Sequence, residues 1–136
     1  MKITGLDGKT HIWNLTNYVP SKDDNKPCSQ YHVRARSLLT EEFPCDRILE
    51  EVGLPGCGLF ADFYIPKRKL MIEVHGSQHY EFNSFFFKSK ADFYKAQARD
   101  RQKANWANIN NITYIELPYT ESDNEWRARI FDDSQG

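Results

Sequence analysis

The stretch that most constrains this chain is a short apolar run with one acid in it, Leu70-Met71-Ile72-Glu73-Val74. A continuous apolar run bounded by turn residues reads as a strand buried inside a sheet. A carboxylate in such a strand is costly to bury unless it is paired or holds a metal. A second strand-like run, Leu59-Phe60-Ala61-Asp62-Phe63-Tyr64-Ile65, comes just before and carries its own acid, Asp62. The tetrad Pro66-Lys67-Arg68-Lys69 joins the two runs as a tight basic turn, so they read as a central antiparallel hairpin.

The flanking segments complete an α/β pattern. Residues 3–15 read as an N-terminal hairpin around Asp7-Gly8, a type I′ turn signal, and the polar, turn-rich residues 18–28 read as a loop. Ser29 reads as an N-cap, and Val33, Ala35, Leu38 and Leu39 lie at helical spacing up to Phe43, where Pro44 stops the helix. Residues 47–52 read as a short strand and 54–58 as a turn. Phe93, Ala96, Ala104 and Ala107 mark the apolar face of a long helix over 89–108. A strand is expected at 112–118 and a short helix at 124–131. The expected architecture is a mixed sheet flanked by helices, with an N-terminal hairpin.

The 136 residues fit a single domain, divided into a hairpin and loop (1–28), a core (29–119) and a tail (120–136). No apolar stretch approaches the ~18 residues a membrane span needs, and the first residues carry no secretory h-region. Cys28, Cys45 and Cys57 are an odd, widely spaced set without a C-x-x-C pair. They read as reduced structural thiols of a cytoplasmic protein.

Asp62 and Glu73, on adjacent strands, can converge on one divalent cation, and hard carboxylate oxygens suit Mg²⁺, with Mn²⁺ able to substitute. A bound metal lowers the pKa of water and stabilises charge on a phosphoryl oxygen. His75 follows Glu73 by two residues and so shares its face. It can orient or deprotonate a water, or stabilise charge as imidazolium. Gln78 and His79 follow the Gly76 break and can close over the same place.

The spacing D-x₁₀-E-x-H after a helix resembles the PD-(D/E)XK nuclease superfamily. Ile72-Glu73-Val74-His75-Gly76-Ser77-Gln78-His79 is similar to the E-V-D-G-x-x-H signature of its very-short-patch repair and homing-endonuclease branch. The resemblance covers residues 29–119 and implies a restriction-endonuclease-like fold and metal-dependent hydrolysis of DNA phosphodiesters. It implies metal ligation by Asp62, Glu73 and the Val74 carbonyl, with His75 and His79 managing the water and the leaving group. Ala61 stands where the family often has proline, and His75 where it usually has lysine. The leading-helix glutamate of that branch corresponds by spacing to His32; Glu41, Glu42 and Glu51 are the nearest carboxylates.

The formal net charge is −1, but it is unevenly spread. Residues 67–103 hold nine basic and four acidic side chains, net +5, between ends of −2 and −4. Nucleic acid needs such a local field rather than a basic whole. Arg36, Lys67, Arg68, Lys69, Gln78, Lys88, Lys95, Arg99 and Lys103 are the candidate nucleic-acid contacts, and one of the helix lysines can stand in for the motif lysine. Phe82, Phe85, Phe86 and Phe87 read either as a wedge between bases or as core under a loop. DNA is the expected partner, with RNA left open and a homodimer or protein partner as a source of specificity. The alternative is a catalytically inactive nucleic-acid-binding protein of the same fold.

Overall fold

The computed structural model of the chain describes residues 1–16, 30–75 and 90–135. The expected N-cap at Ser29, Gln78, His79, Lys88 and the aromatic run 82–87 lie outside the described residues. The elements run β1 (Lys2–Thr4), β2 (Thr10–Ile12), α1 (Gln30–Glu42), β3 (Leu49–Leu54), β4 (Leu59–Ile65), β5 (Leu70–His75), α2 (Lys90–Ile109), β6 (Thr113–Pro118) and α3 (Asp123–Gln135). A short 3-10 turn, Pro66–Arg68, joins β4 to β5, with Lys69 left-handed at its end.

The main sheet has the order β3-β4-β5-β6. β3 and β4 are antiparallel, as are β4 and β5, whereas β5 and β6 are parallel. It is a mixed sheet flanked by helices, as the alternation of strand and helix patterns implied. A parallel pair needs a long crossover, and α2 lies within that crossover.

Each sheet face carries its own core. Phe63, Ile65, Leu70, Ile72, Val74, Ile115 and Leu117 face Ala35, Leu38 and Leu39 of α1 and Trp126 and Ile130 of α3. Tyr64 and Met71, with Leu49 and Val52, face Trp106 and Ala107 of α2 and Ile3 and Trp13 of the N-terminal hairpin. Every residue of β5 is buried, as the apolar run demands. The three tryptophan N–H groups find backbone carbonyls: Trp13 donates to Gly53, Trp106 to Pro55 and Trp126 to Pro118, at 3.0, 2.8 and 2.7 Å. Such partners let large aromatics be buried without an orphaned donor. α3 begins with a reciprocal box in which the Ser122 hydroxyl accepts from the Glu125 N–H and the Glu125 carboxylate from the Ser122 N–H.

The N-terminal hairpin differs from the expected two-residue turn. Thr4 pairs with Thr10, which leaves a five-residue loop in which Gly8 alone has positive φ. The Asp7 carboxylate accepts the Lys9 N–H and pairs with His11, which stabilises the wider loop. Gly5 packs so closely on Gly56 that a Cβ on either would lie 2.7 or 2.5 Å from the other's Cα, and Leu6 donates to the Gly56 carbonyl. The Asn110 side-chain amide bonds both backbone groups of Thr4, at 2.7 and 2.9 Å, and so anchors β1 to the end of α2.

Candidate active site

The strand registers place four acids in one row. Glu73 on β5 pairs with Glu116 on β6. Carrying the β4–β5 and β3–β4 registers through one rung sets Asp62 opposite Glu73 and Glu51 opposite Asp62. At this row the ladder opens. The β4–β5 pairing runs from Ile65–Leu70 to Phe63–Ile72. Beyond it side chains replace backbone carbonyls: Asp62 Oδ2 accepts the Val74 N–H at 2.9 Å, and Glu73 Oε2 accepts the Asp62 N–H at 3.2 Å.

A break in strand alternation aims Asp62 at β5. Leu49 and Val52 on β3, and Ala61 and Tyr64 on β4, join the same core although they are three residues apart. Regular period-2 alternation would put them on opposite faces. The extra residue on each strand is Glu51 and Asp62, and Glu51 has a left-handed φ of 51°.

Glu73 is 2% exposed and meets the Lys103 ammonium of α2, with Nζ 2.9 Å from Oε1. Burial first, and then the Asp62 carboxylate, push the Glu73 carboxyl well above the ordinary range, against the pull of Lys103. For Lys103, burial works against the charge, but Glu73 and Asp62 outweigh it and raise its pKa. Two carboxylates facing one ammonium leave an excess negative charge in a nearly dry place, which suits a cation. Among the helix lysines and arginines proposed from sequence, Lys103 meets Glu73, while Arg99 and Lys95, one and two turns earlier on the same stripe, are exposed.

Glu116, Tyr64 and Tyr114 join this face and were not singled out by sequence. Tyr64 and Tyr114 both pair with Met71, so the two phenols flank Met71 two rungs below the acids, on the same face. Burial pushes the Tyr64 hydroxyl up to about 12. It also raises Tyr114, with Glu73 and Glu116 adding to the effect. His75 is 4% exposed, and its Nδ1 lies 3.7 Å from Glu116 Oε2. The alternation of β6 carries this information: Tyr114 and Glu116 alternate with Ile115 and Leu117, which face the opposite core.

Other sequence candidates fall elsewhere. His32 stacks on Phe63 with ring centroids 4.5 Å apart and bonds to Glu50. Phe63 belongs to the α1 side of the sheet, so His32 lies on the face opposite Lys103. Arg36 makes two bonds of 3.0 Å to the same Glu50 carboxylate. Glu41 and Glu42 pair with Arg127 of α3. Arg68 lies over the Phe43 ring and pairs with Asp46 at 2.6 Å. Lys67 and Lys69 are exposed in and after the turn before β5, with Lys69 about 13 Å along the chain from Glu73 at ~3.3 Å per residue.

No family model matches the chain, and no solved structure matches it. Three uncharacterized viral proteins do. Protein 307L of Invertebrate iridescent virus 6 is 48% identical over 62 residues, 46% of this chain and 32% of that protein. Protein 033L of Invertebrate iridescent virus 3 is 37% identical over 67 residues, 49% of this chain and 34% of its own length. Protein 094L of Frog virus 3 is 39% identical over 75 residues, 54% of this chain and 48% of that protein. The matches thus span about a third to a half of these relatives' lengths. Among the described residues, no helix is long and apolar enough to cross a membrane.

Proposed function

We propose that this domain is a metal-dependent DNA endonuclease of the PD-(D/E)XK type, in which Lys103, brought in from α2, takes the place of the motif lysine. The observation that carries this reading is the 2.9 Å contact between Lys103 Nζ and Glu73 Oε1, made where Asp62 and Glu73 meet at the open end of the β4–β5 ladder. Sequence supplies a strand-borne Asp and Glu but a histidine, His75, at the lysine position. The contact supplies a positively charged group at the same acids from another element.

The donor set fits a hard divalent cation. Among the described residues no three His, Cys, Asp or Glu side chains gather as a metal group. Mg²⁺ nonetheless typically takes one or two carboxylates and keeps several waters, and Asp62 and Glu73 provide two. Their bonded oxygens retain a second lone pair, and the Val74 carbonyl is a third donor on the same strand. When bound, the cation supplies Lewis acidity and a more acidic water. Lys103 opposes the burial that favours a neutral Glu73 and stabilises negative charge gathering on the phosphoryl oxygens. His75, steadied by Glu116, sits two residues on to handle a proton, and Lys95 and Arg99 extend a basic stripe for flanking phosphates.

The test is nicking of supercoiled plasmid by the full chain in Mg²⁺ or Mn²⁺. Asp62→Ala, Glu73→Ala and Lys103→Ala each abolish nicking on this reading. Cleavage that survives the Asp62 and Glu73 substitutions overturns it. Salt-sensitive DNA binding without cleavage supports the alternative, a nucleic-acid-binding protein without catalysis.

A further inference from the structure

We infer that Glu50, clamped by His32 and Arg36 of α1, is a positioning residue that holds the kink at Glu51 and so keeps Asp62 turned toward Glu73. The inference rests on the nuclease reading only for what the positioning is for; the linkage itself is a matter of strand geometry.

Glu50 is the last residue of β3 before the kink. Its side chain lies on the α1 face and is 9% exposed. It receives both a ring nitrogen of His32 and the fork of Arg36. His32 in turn stacks on Phe63, and Phe63 is the residue paired with Glu50 across the ladder. One rung is therefore tied from three directions: by the β3–β4 pairing, by the two α1 side chains, and by the ring stack. Burial works against the Glu50 charge, but His32 and Arg36 outweigh it and hold the carboxyl below its ordinary range.

The next rung is the irregular one. Glu51 takes a left-handed backbone, which is sterically unfavourable for a residue with a Cβ. Its side chain is exposed, and the described residues give it no hydrogen bond or ion pair that would hold that conformation. The restraint must come from its neighbours, and the strongest beside it is the Glu50 cluster. On the opposite strand the same rung is Asp62, whose carboxylate leaves the period-2 pattern to accept the Val74 N–H. If β3 returned to regular alternation, the rung at 51 and 62 would lose the local distortion that brings Asp62 into the gap beside Glu73. Strained backbone held by surrounding structure is typical of sites that need fixed geometry.

The Val74 amide reports on Asp62 without any catalysis. Its hydrogen exchange, followed by NMR on the full chain, is compared in wild type, Asp62→Ala, Glu50→Gln and the double variant Glu50→Gln/Glu51→Gly. Asp62→Ala sets the rate for the lost bond. Glu50→Gln is expected to speed Val74 exchange about tenfold beyond whatever change global stability brings to core amides such as Leu70 and Ile72, a local opening on top of any global loss. Glycine adopts positive φ without steric cost, so Glu51→Gly is expected to return Val74 protection in the Glu50→Gln background. A merely structural salt bridge would not be rescued in this way. Should Glu50→Gln not fold, Arg36→Met keeps the His32 bond and serves in its place. Val74 exchange unchanged in a folded clamp variant, or no rescue by Glu51→Gly, overturns the inference. Absence of plasmid nicking by the wild type would instead strike the nuclease reading and leave this result standing.

Discussion

Replacing Lys103 by Met tests the electrostatics of the acid row directly. The side chain keeps its length and apolar stem, so packing against β5 is nearly preserved, and the change removes the ammonium 2.9 Å from Glu73. At an effective dielectric of about 20, that contact is worth about 6 kcal/mol before desolvation. The Lys103 side chain is 17% exposed, so much of its hydration is already lost in the folded protein and offsets part of the attraction. Breaking a buried pair from one side typically costs about 3–5 kcal/mol, and the lower end, about 3 kcal/mol, is expected here at pH 8. The cost should depend on pH. With its folded-state pKa already raised, Glu73 is pushed higher still once Lys103 is gone. A carboxyl raised in the folded state makes folding more favourable as pH falls through that raised value toward the unfolded one, near 4.5. The deficit of Lys103→Met should therefore shrink from pH 8 to pH 5. Urea unfolding of both proteins across that range measures it. A deficit that is absent, or that stays constant with pH, refutes the charge arrangement assigned to Asp62, Glu73 and Lys103.

Two further outcomes follow from the packing. Glu50 is held below its ordinary range, so its contribution is present above about pH 4.5 and lost as pH falls through its lowered folded-state value; Glu50→Gln should be less stable than wild type at pH 6, with the two unfolding curves converging as the pH is lowered. Gly56→Ala puts a Cβ 2.5 Å from the Gly5 Cα at a φ of 72° and should cost about 2–3 kcal/mol, with the buried Trp13 emission shifting to the red as the N-terminal hairpin lifts; an unchanged urea midpoint would contradict that close contact.

Much of the fold is legible in the sequence because its strands carry dense apolar signals. The runs at 59–65 and 70–74 correspond to β4 and β5 almost residue for residue, and Phe93 and Ala107 face the core from α2. The N-terminal turn was misread because Asp7-Gly8 is a local signal, whereas the loop is set by a distant contact, Gly5 against Gly56. The acids at 62 and 73 stand out because their neighbours are apolar. Glu50 does not, since it sits beside Glu51 in a segment that is charged for two residues in succession. What tells them apart is which side of β3 each occupies, and a left-handed residue in mid-strand reverses the side that simple alternation assigns. His32 was placed by counting along a helix, but its role depends on a partner 18 positions later. The convergence of Lys103 on Glu73 depends on how a crossover helix lies on the sheet, which spacing narrows to a stripe of the helix without choosing the residue.

The bracket that Asn110 forms around Thr4 has a consequence in time. The two residues are 106 positions apart, and a ribosome adding about 5–20 residues per second takes about 5–20 s to cover that gap. During that interval β3, β4 and β5 are complete and neighbouring in sequence, so their antiparallel pairs can form while β1 has no dock. β1, made before these strands, is thus fastened after them. The Trp13 ring, destined to lie against Trp106 at 5.0 Å, waits as exposed apolar surface while the residues between the two are made, an interval in which a chaperone or a second nascent chain would find it first.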